Sequence, residues 1–423
     1  MNVLVVGNGG REHALAWSLS RSEAIERVIC APGNGGTATL SKCENRAVGV
    51  EDFAGIRQIA KDEAIALVVV GPEVPLALGL ADDLRAHDIK VFGPGRSGAR
   101  LEASKGWAKE LMAEARVPTA RGAVFEDPQA AKDYIQKTPV VLKADGLAAG
   151  KGVMVASTGE MAHEAIEAIA RGDFGSGNCR IVVEEFLLGQ EASILALTDG
   201  QTIRPLIPAQ DHKPIGESDS GQNTGGMGAY APTPVVTPEL AGRIQGEILE
   251  PTLATLQKRG IDYRGVIYAG LMISPEGDPK VLEFNCRFGD PETQPILSLL
   301  ETPLEELLLA CCDRRLAEMP PIQWKPGVSV CVVLVSGGYP GSYEKGKVIT
   351  GIEAAEATGA VVFHGGTRRE NGQLLTDGGR VLGVTAAGED VKSAIVNAYR
   401  AVDCINFEGM YCRRDIGFRI RSL

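Results

Sequence analysis

The densest run of chemically useful side chains is Lys280-Val281-Leu282-Glu283-Phe284-Asn285-Cys286-Arg287-Phe288-Gly289-Asp290-Pro291-Glu292. Successive residues of a strand point to opposite faces. That spacing puts Glu283, Asn285 and Arg287 on one face and Leu282, Phe284, Cys286 and Phe288 on the other. The apolar face is core. The polar face offers a carboxylate and an amide oxygen, hard ligands that suit Mg²⁺, then a guanidinium that suits phosphate or carboxylate. A solvated face on a half-buried strand has the same period, so this segment does not decide alone.

A second cluster is glycine-rich: Lys143-Ala144-Asp145-Gly146-Leu147-Ala148-Ala149-Gly150-Lys151-Gly152. A P-loop needs four residues between its glycines and then Lys-Ser/Thr. Here three separate Gly146 from Gly150, and Gly152 follows Lys151. The segment joins strand to strand, as a hairpin. Small residues let backbone N–H groups approach phosphate oxygens, while Lys143 and Lys151 supply charge. Lys143 ends the apolar run Val140-Val141-Leu142, where its burial calls for an anion. A mobile surface hairpin is the plain alternative.

Gly7-Asn8-Gly9-Gly10-Arg11-Glu12 follows the first apolar run and invites a dinucleotide reading. G-x-G-x-x-G needs glycine where Glu12 stands, and the second strand runs into Ala31-Pro32-Gly33 with no ribose-binding acid. A nicotinamide site is excluded on both counts. Free amides at a helix N-terminus beside Arg11 would still suit a phosphate. Gln210-Asp211-His212-Lys213 and Asn223-Thr224-Gly225-Gly226-Met227-Gly228 could line a substrate pocket or form a solvated loop. Glu184-Glu185, with Glu191 beyond Gly189, could hold a nucleotide's base and ribose or lie on the surface.

These residues need a scaffold, and hydrophobic patterning supplies one. Val3–Val6, Val28–Ala31, Leu67–Val70 and Val91–Phe92 read as buried parallel strands, each ending in a glycine or proline turn. That pattern predicts an open βαβ sheet with ligands at the strands' carboxyl ends. A helix is expected from Ser104 to about Ala115, then strands Val140–Ala144 and Val153–Ala156. A helix near Met161–Ala170 precedes strands Arg180–Phe186 and Ala192–Leu197. Residues 208–238 are rich in glycine and proline without periodicity and read as a long functional loop. A helix (Pro238–Lys258), strands Tyr268–Ser274 and Lys280–Phe288 and a helix (Pro303–Asp313) follow. Pro320-Pro321 and Lys325-Pro326-Gly327 mark a boundary. Beyond it, Val328–Val335, Val381–Ala386 and a helix (Asp390–Ala401) predict an α+β module.

The 423 residues carry 43 Lys+Arg against 54 Asp+Glu, a net charge of −11. So acidic a chain argues against nucleic-acid or anionic-membrane binding, since both need dense Lys/Arg. Glycine, at 52 of 423 residues, exceeds the usual share of about 7% and points to backbone-built loops. Nine cysteines without a C-x-x-C pair, and five dispersed histidines, argue against disulfides and zinc. No signal peptide opens the chain, and no apolar run approaches the roughly 18 residues of a membrane span. A soluble cytoplasmic protein is expected.

Together these segments resemble the ATP-grasp superfamily and, more narrowly, the phosphoribosylamine–glycine ligase (glycinamide ribonucleotide synthetase) family. The resemblance runs end to end, through Val6–Ala14, Val70–Glu73, Lys143–Gly152, Gln210–Lys213, Asn223–Tyr230 and Glu283–Glu292. It implies an N-terminal open parallel α/β domain (1–103), a two-lobed ATP-grasp (104–325, mobile lobe about 120–190) and a C-terminal α+β domain (326–423). With nothing following Leu423, it implies the single-activity form.

The activity it implies is an ADP-forming carbon–nitrogen ligase of purine biosynthesis, joining glycine to 5-phosphoribosylamine through a glycyl phosphate. By the same resemblance, ATP is gripped by Lys105, Lys143 and the loop Gly146, Gly150, Lys151 and Gly152. Glu184, Glu185, Phe186 and Leu187 face adenine, and Glu191 the ribose. Glu283 and Asn285 hold Mg²⁺ or Mn²⁺. Arg287, Lys143 and Asp290 are the implied catalytic residues. Gly9, Gly10, Glu73, Asp211, Lys213, Asn223, Gly225, Gly226 and Arg287 face the substrates, with Asp290 and the Asp211 loop both open as the glycine pocket. The extra metal carboxylate that many ATP-grasp enzymes place on the preceding strand is missing here, where Ala269-Gly270-Leu271-Met272-Ile273 stands. Partners are small molecules only, with no nucleic acid or membrane, and the chain is expected as a monomer or weak homodimer. A carboxylase of the same superfamily, a non-catalytic nucleotide sensor and, weakened by Glu12 and the missing acid, a nicotinamide dehydrogenase are the competing readings.

Overall fold

Four consecutive apolar residues, Val3–Val6, suit a strand buried on both faces. In the computed structural model, which describes residues 1–147, 152–174 and 180–420, they form the centre of β1 (Asn2–Gly7). Four more strands follow: β2 (Arg27–Pro32), β3 (Cys43–Asn45), β4 (Ile65–Val70) and β5 (Val91–Phe92). All pair in parallel, in the order β3-β2-β1-β4-β5. Leu4, Val6, Ile29 and Val68 enter one core, while Val3, Val5, Val28 and Val69 enter another on the opposite face. Edge strand β3 escapes the sequence reading because Cys-Glu-Asn has no apolar run to mark it.

The helix Lys105–Ala115 begins at Ser104, whose hydroxyl accepts the Trp107 N–H at 3.1 Å, an N-cap. A small lobe follows: β6 (Gly122–Phe125), β7 (Val140–Ala144), β8 (Val153–Ala156) and β9 (Ile181–Glu185), antiparallel in the order β6-β9-β7-β8. Helices Pro128–Tyr134 and Gly159–Ala170 help bury one face, with Val140, Leu142, Ile181 and Val183 in a core of its own. The other face carries Val141, Lys143, Val182 and Glu184 and looks into a cleft. A larger lobe faces it, built on β10 (Gln190–Thr198), β11 (Ile203–Pro205), β16 (Gly265–Ile273) and β17 (Pro279–Asn285).

Residues 208–238, expected as a structureless loop, instead hold four short strands. These are β12 (Gln210–Asp211), β13 (Pro214–Gly216), β14 (Ser220–Asn223) and β15 (Gly228–Ala231). β13 pairs with β14 and β12 with β15, while β15 also pairs with β18 (Val328–Val335), about 100 residues on. Strands this short carry no periodicity, so local patterning cannot announce them. The expected helix 238–258 is continuous but widens to a π turn at Gln245–Leu249. Pro251 lacks the N–H that an α-helix would close onto Glu247.

β16 (Gly265–Ile273) and β17 (Pro279–Asn285) form an antiparallel pair. The last sheet runs β12-β15-β18-β22-β19, with β19 (Val361–His364) and β22 (Arg380–Gly388), so the C-terminal module takes two strands from residues 210–231. β20 (Thr367–Glu370) and β21 (Gln373–Thr376) make a separate hairpin. The helix Val391–Val402 is capped by Asp390, which accepts the Ser393 N–H at 2.7 Å. Among the described residues no helix is long and apolar enough to cross a membrane. The chain is thus a multidomain α/β and α+β protein.

Candidate active site

A cavity of about 570 Å³ opens between the small lobe, the larger lobe, the N-terminal sheet and the C-terminal module. Its apolar lining includes Met112, Val153, Val182, Met272 and Leu282; its charged lining includes Lys105, Lys143, Glu283, Arg287 and Arg380. Period-2 alternation delivers the small-lobe residues, since Leu142 and Val183 turn to the core while Lys143 and Glu184 turn to the cavity.

Lys143 does not wait for an external anion, as its place after an apolar run suggested. Its Nζ lies 2.7 Å from Glu184 Oε2 and donates to the Leu282 carbonyl at 2.8 Å, tying the small lobe to β17. Glu184 Oε1 takes a second ammonium, Lys109, at 2.7 Å. Lys105 donates to the Gly146 carbonyl at 2.8 Å. Burial pulls the Lys105 ammonium below its usual range, against the opposing pull of Glu283 and Asp145. Gly152 also lines the cavity; Gly150 and Lys151 lie outside the described residues. Phe186, Leu187 and Glu191 line it too, but Glu185 does not. As Glu184's neighbour in the strand, Glu185 points away and accepts the Arg121 N–H at 2.9 Å and Lys280 at 3.2 Å.

The strict alternation expected along β17 is broken. Gly270 pairs with Glu283 but Leu271 pairs with Val281, a bulge that leaves Leu282 unopposed. Val281 therefore joins the core, while Leu282 lines the cavity beside Glu283. The strand ends at Asn285, so Arg287 sits in the following turn. Among the described residues nothing hydrogen-bonds the Glu283 carboxylate. A carboxylate lining the cavity without a donor, two residues before an amide oxygen, fits a hard divalent cation. No third carboxylate, histidine or cysteine joins them: the described residues hold no cluster of three or more such metal-binding groups.

Arg287 is gripped from two sides: Glu102 at 2.9 Å and Glu73 at 3.3 Å, with Asn285 Oδ1 at 3.1 Å. Burial works against its charge, but Glu102 and Glu73 outweigh that and hold it firmly protonated. Burial pushes Glu102 up, with Arg287 opposing. For Glu73, Arg287 and Arg11 outweigh burial and hold the carboxyl below its usual range. Asp290 meets Arg380 at 3.0 Å and the Gln294 amide at 2.8 Å. Arg380 also donates to the carbonyls of Gly225 (2.5 Å) and Asp290 (2.8 Å), binding the loop after β14 to the C-terminal module.

Gly9 and Gly10 do not line the cavity, although Arg11 and Glu73 do. The Gly9 amide is not free as expected: it donates to Glu12 Oε2 at 2.6 Å. That carboxylate fills the turn, and a Cβ on Gly71 would sit 1.9 Å from Glu12 Oε1. Glu12 thus closes the loop that glycine would leave open in a dinucleotide site. Asp211, Lys213, Asn223 and Gly225 line the cavity. Gly226 lies outside the lining, at φ +114° against the Pro291 ring, where a Cβ would approach to 2.4 Å.

Sequence reasoning assigned no role to Glu102, Lys109, Tyr268, Glu292 or Arg380. Lys109 stands one helical turn after Lys105, an i,i+4 spacing that marks a shared face. Arg380 carries no local signal, because only folding brings it to Asp290.

Three family models match the chain: the phosphoribosylglycinamide synthetase N domain over residues 1–102, its ATP-grasp (A) domain over 103–293 and its C domain over 329–419. The chain is 64% identical over 425 aligned positions to a phosphoribosylamine–glycine ligase of Nostoc sp., covering 100% of both. Its structure is similar to the crystal structure of phosphoribosylamine–glycine ligase from Thermotoga maritima. There the TM-score is 0.85 at 34% identity, covering 98% of this chain and 100% of that one. A biotin carboxylase from Campylobacter jejuni shares the fold at TM-score 0.74 and 14% identity, covering 100% and 95%.

Proposed function

We infer, from the premise that this chain belongs to the phosphoribosylglycinamide synthetase family, how its central cavity performs that family's reaction. The activity is ATP-dependent ligation of glycine to phosphoribosylamine in purine biosynthesis. We propose that ATP first phosphorylates the glycine carboxylate, giving a glycyl phosphate and ADP. The amine of 5-phosphoribosylamine then attacks the activated carbonyl, phosphate leaves, and the amide of glycinamide ribonucleotide remains.

Such chemistry asks the protein for position and charge rather than covalent participation. Lys105 and Lys143, on opposite lobes, place ammonium groups beside the phosphates, with Gly146 and Gly152 lining the same cavity. The backbone from Glu185 to Leu187 reads adenine, with Glu184 beneath it holding Lys143 in place, and Glu191 takes the ribose hydroxyls. Glu283 and Asn285 would hold Mg²⁺ or Mn²⁺, which would neutralise charge on the phosphate oxygens. Arg287, already fixed by Glu73 and Glu102, faces the transferring phosphoryl group. Glu73 and Arg11 flank the phosphoribosyl group; Asp290, Asp211, Lys213, Asn223 and Gly225 shape the acceptor side. The protein acts in the cytoplasm on these small molecules, with no nucleic acid or membrane partner, as a monomer or weak homodimer.

One observation carries this reading: Lys143, Glu283 and Arg287, from segments 140 residues apart, line one cavity. The test is ADP release with Mg-ATP, glycine and phosphoribosylamine generated in situ, omitting one component at a time. Release that needs both glycine and phosphoribosylamine supports the assignment. Release driven by bicarbonate and indifferent to glycine overturns it.

A further inference from the structure

The cavity residues Lys213, Asn223 and Gly225 sit at the open end of the hairpin of β13 and β14, where Pro214 pairs with Asn223. At its far end Ser218 and Asp219 both adopt the left-handed region, at φ 55° and 56°. Two such residues in succession, neither of them glycine, are strained and persist only where their surroundings hold them. A hairpin of two short strands cannot supply that hold by itself.

The segment 411–419 supplies it. Arg413, whose side chain is fully buried, forks onto both carboxylate oxygens of Asp415 at 2.8 Å. It also donates to Asp219 Oδ1 at 2.9 Å and to the Pro214 carbonyl at 3.1 Å. Arg419 takes the other Asp219 oxygen at 3.0 Å from Nε and donates to the Asp211 carbonyl at 3.0 Å. Asp415 accepts the Ser218 N–H at 2.7 Å, and Tyr411 donates to the Ile215 carbonyl at 3.0 Å. A guanidinium fork matched to carboxylates fixes orientation as well as attraction. Asp219, Arg413, Asp415 and Arg419 themselves lie outside the cavity lining.

We propose that Asp219 is a positioning residue: gripped by Arg413 and Arg419, it presets the hairpin so that Lys213, Asn223 and Gly225 stand ready at the acceptor side. This rests on the ligase reading above and deepens it, by naming what holds that side in place. Arg380 already binds the Gly225 carbonyl, so the C-terminal module holds the hairpin at both ends. A loop ordered in advance spares substrate binding the cost of ordering it.

The experiment pairs hydrogen exchange with steady-state ADP release in Asp219→Asn, which keeps the shape and removes the charge. Amide exchange across 214–225 should quicken, while that of the small-lobe strands stays as in wild type. The KM for glycine or for phosphoribosylamine should rise about tenfold to a hundredfold, the cost of a displaced positioning group, with the ATP KM unchanged. Unchanged exchange overturns the grip. Quicker exchange with unchanged KM values, or with an equal rise in all three, overturns the positioning role and leaves the ligase reading intact. Wild-type ADP release that ignores glycine overturns the ligase reading itself, and the exchange result still decides the grip. Should Asp219→Asn not fold, Asp415→Asn carries the same comparison, since it loosens Arg413 and Ser218 together.

Discussion

Glu184 holds two ammonium groups at once, Lys143 and Lys109, each at 2.7 Å from a different carboxylate oxygen. Lys109 comes from the helix below the small lobe and Lys143 from its central strand. One carboxylate therefore fixes the position of the lysine that reaches across to β17.

Glu184→Gln leaves these two buried lysines with a neutral partner. Breaking a buried ion pair costs about 3–5 kcal/mol. The variant should unfold at clearly lower denaturant concentration in a chemical melt. In the folded fraction the apparent KM for ATP should rise. An ATP KM equal to wild type would mean that Glu184 serves stability alone.

Arg287→Lys tests geometry at constant charge. A guanidinium meets Glu102, Glu73 and Asn285 with a rigid fork that an ammonium cannot reproduce. Loss of one aligned donor at a developing charge costs about a hundredfold to a thousandfold in kcat. Single-turnover ADP formation should fall by that order with little change in melting temperature. A kcat within twofold of wild type would remove Arg287 from the reaction.

Stability should weaken on the acid side. His13 Nδ1 accepts the His364 backbone N–H at 2.7 Å, and the two rings stand 5.3 Å apart between the N-terminal and C-terminal modules. Burial lowers His13 well below its usual value, with His364 adding to it; burial lowers His364 from 6.5 to about 4. Both are neutral in the fold, so the unfolded chain takes up protons first. Their contribution is complete above pH 6.5 and is lost as pH falls through about 4. Melting temperature should therefore drop between pH 6.5 and 4, and less steeply in His364→Gln.

Local pattern was enough for the parallel sheet, the strand pair around the glycine-rich turn and the faces of Lys143 and Glu283. Alternation over four or five residues is a local property, and each of these segments has it. Leu282 defeated the same rule, because a bulge depends on the partner strand's register and not on the strand's own sequence. β15 and Arg380 were illegible for a related reason. Their partners, β18 and Asp290, lie about 100 and 90 residues away, and no short window contains both sides of such a contact.

Glu283→Ala tests most directly the proposed role of Glu283 as the carboxylate that would meet the nucleotide's metal. The measurement is ADP release by the purified variant at saturating Mg-ATP, glycine and phosphoribosylamine, beside a melt showing that it is folded. Release should fall by at least about a hundredfold with melting temperature near wild type, since no described residue hydrogen-bonds that carboxylate. Near-normal release from a folded variant would contradict it.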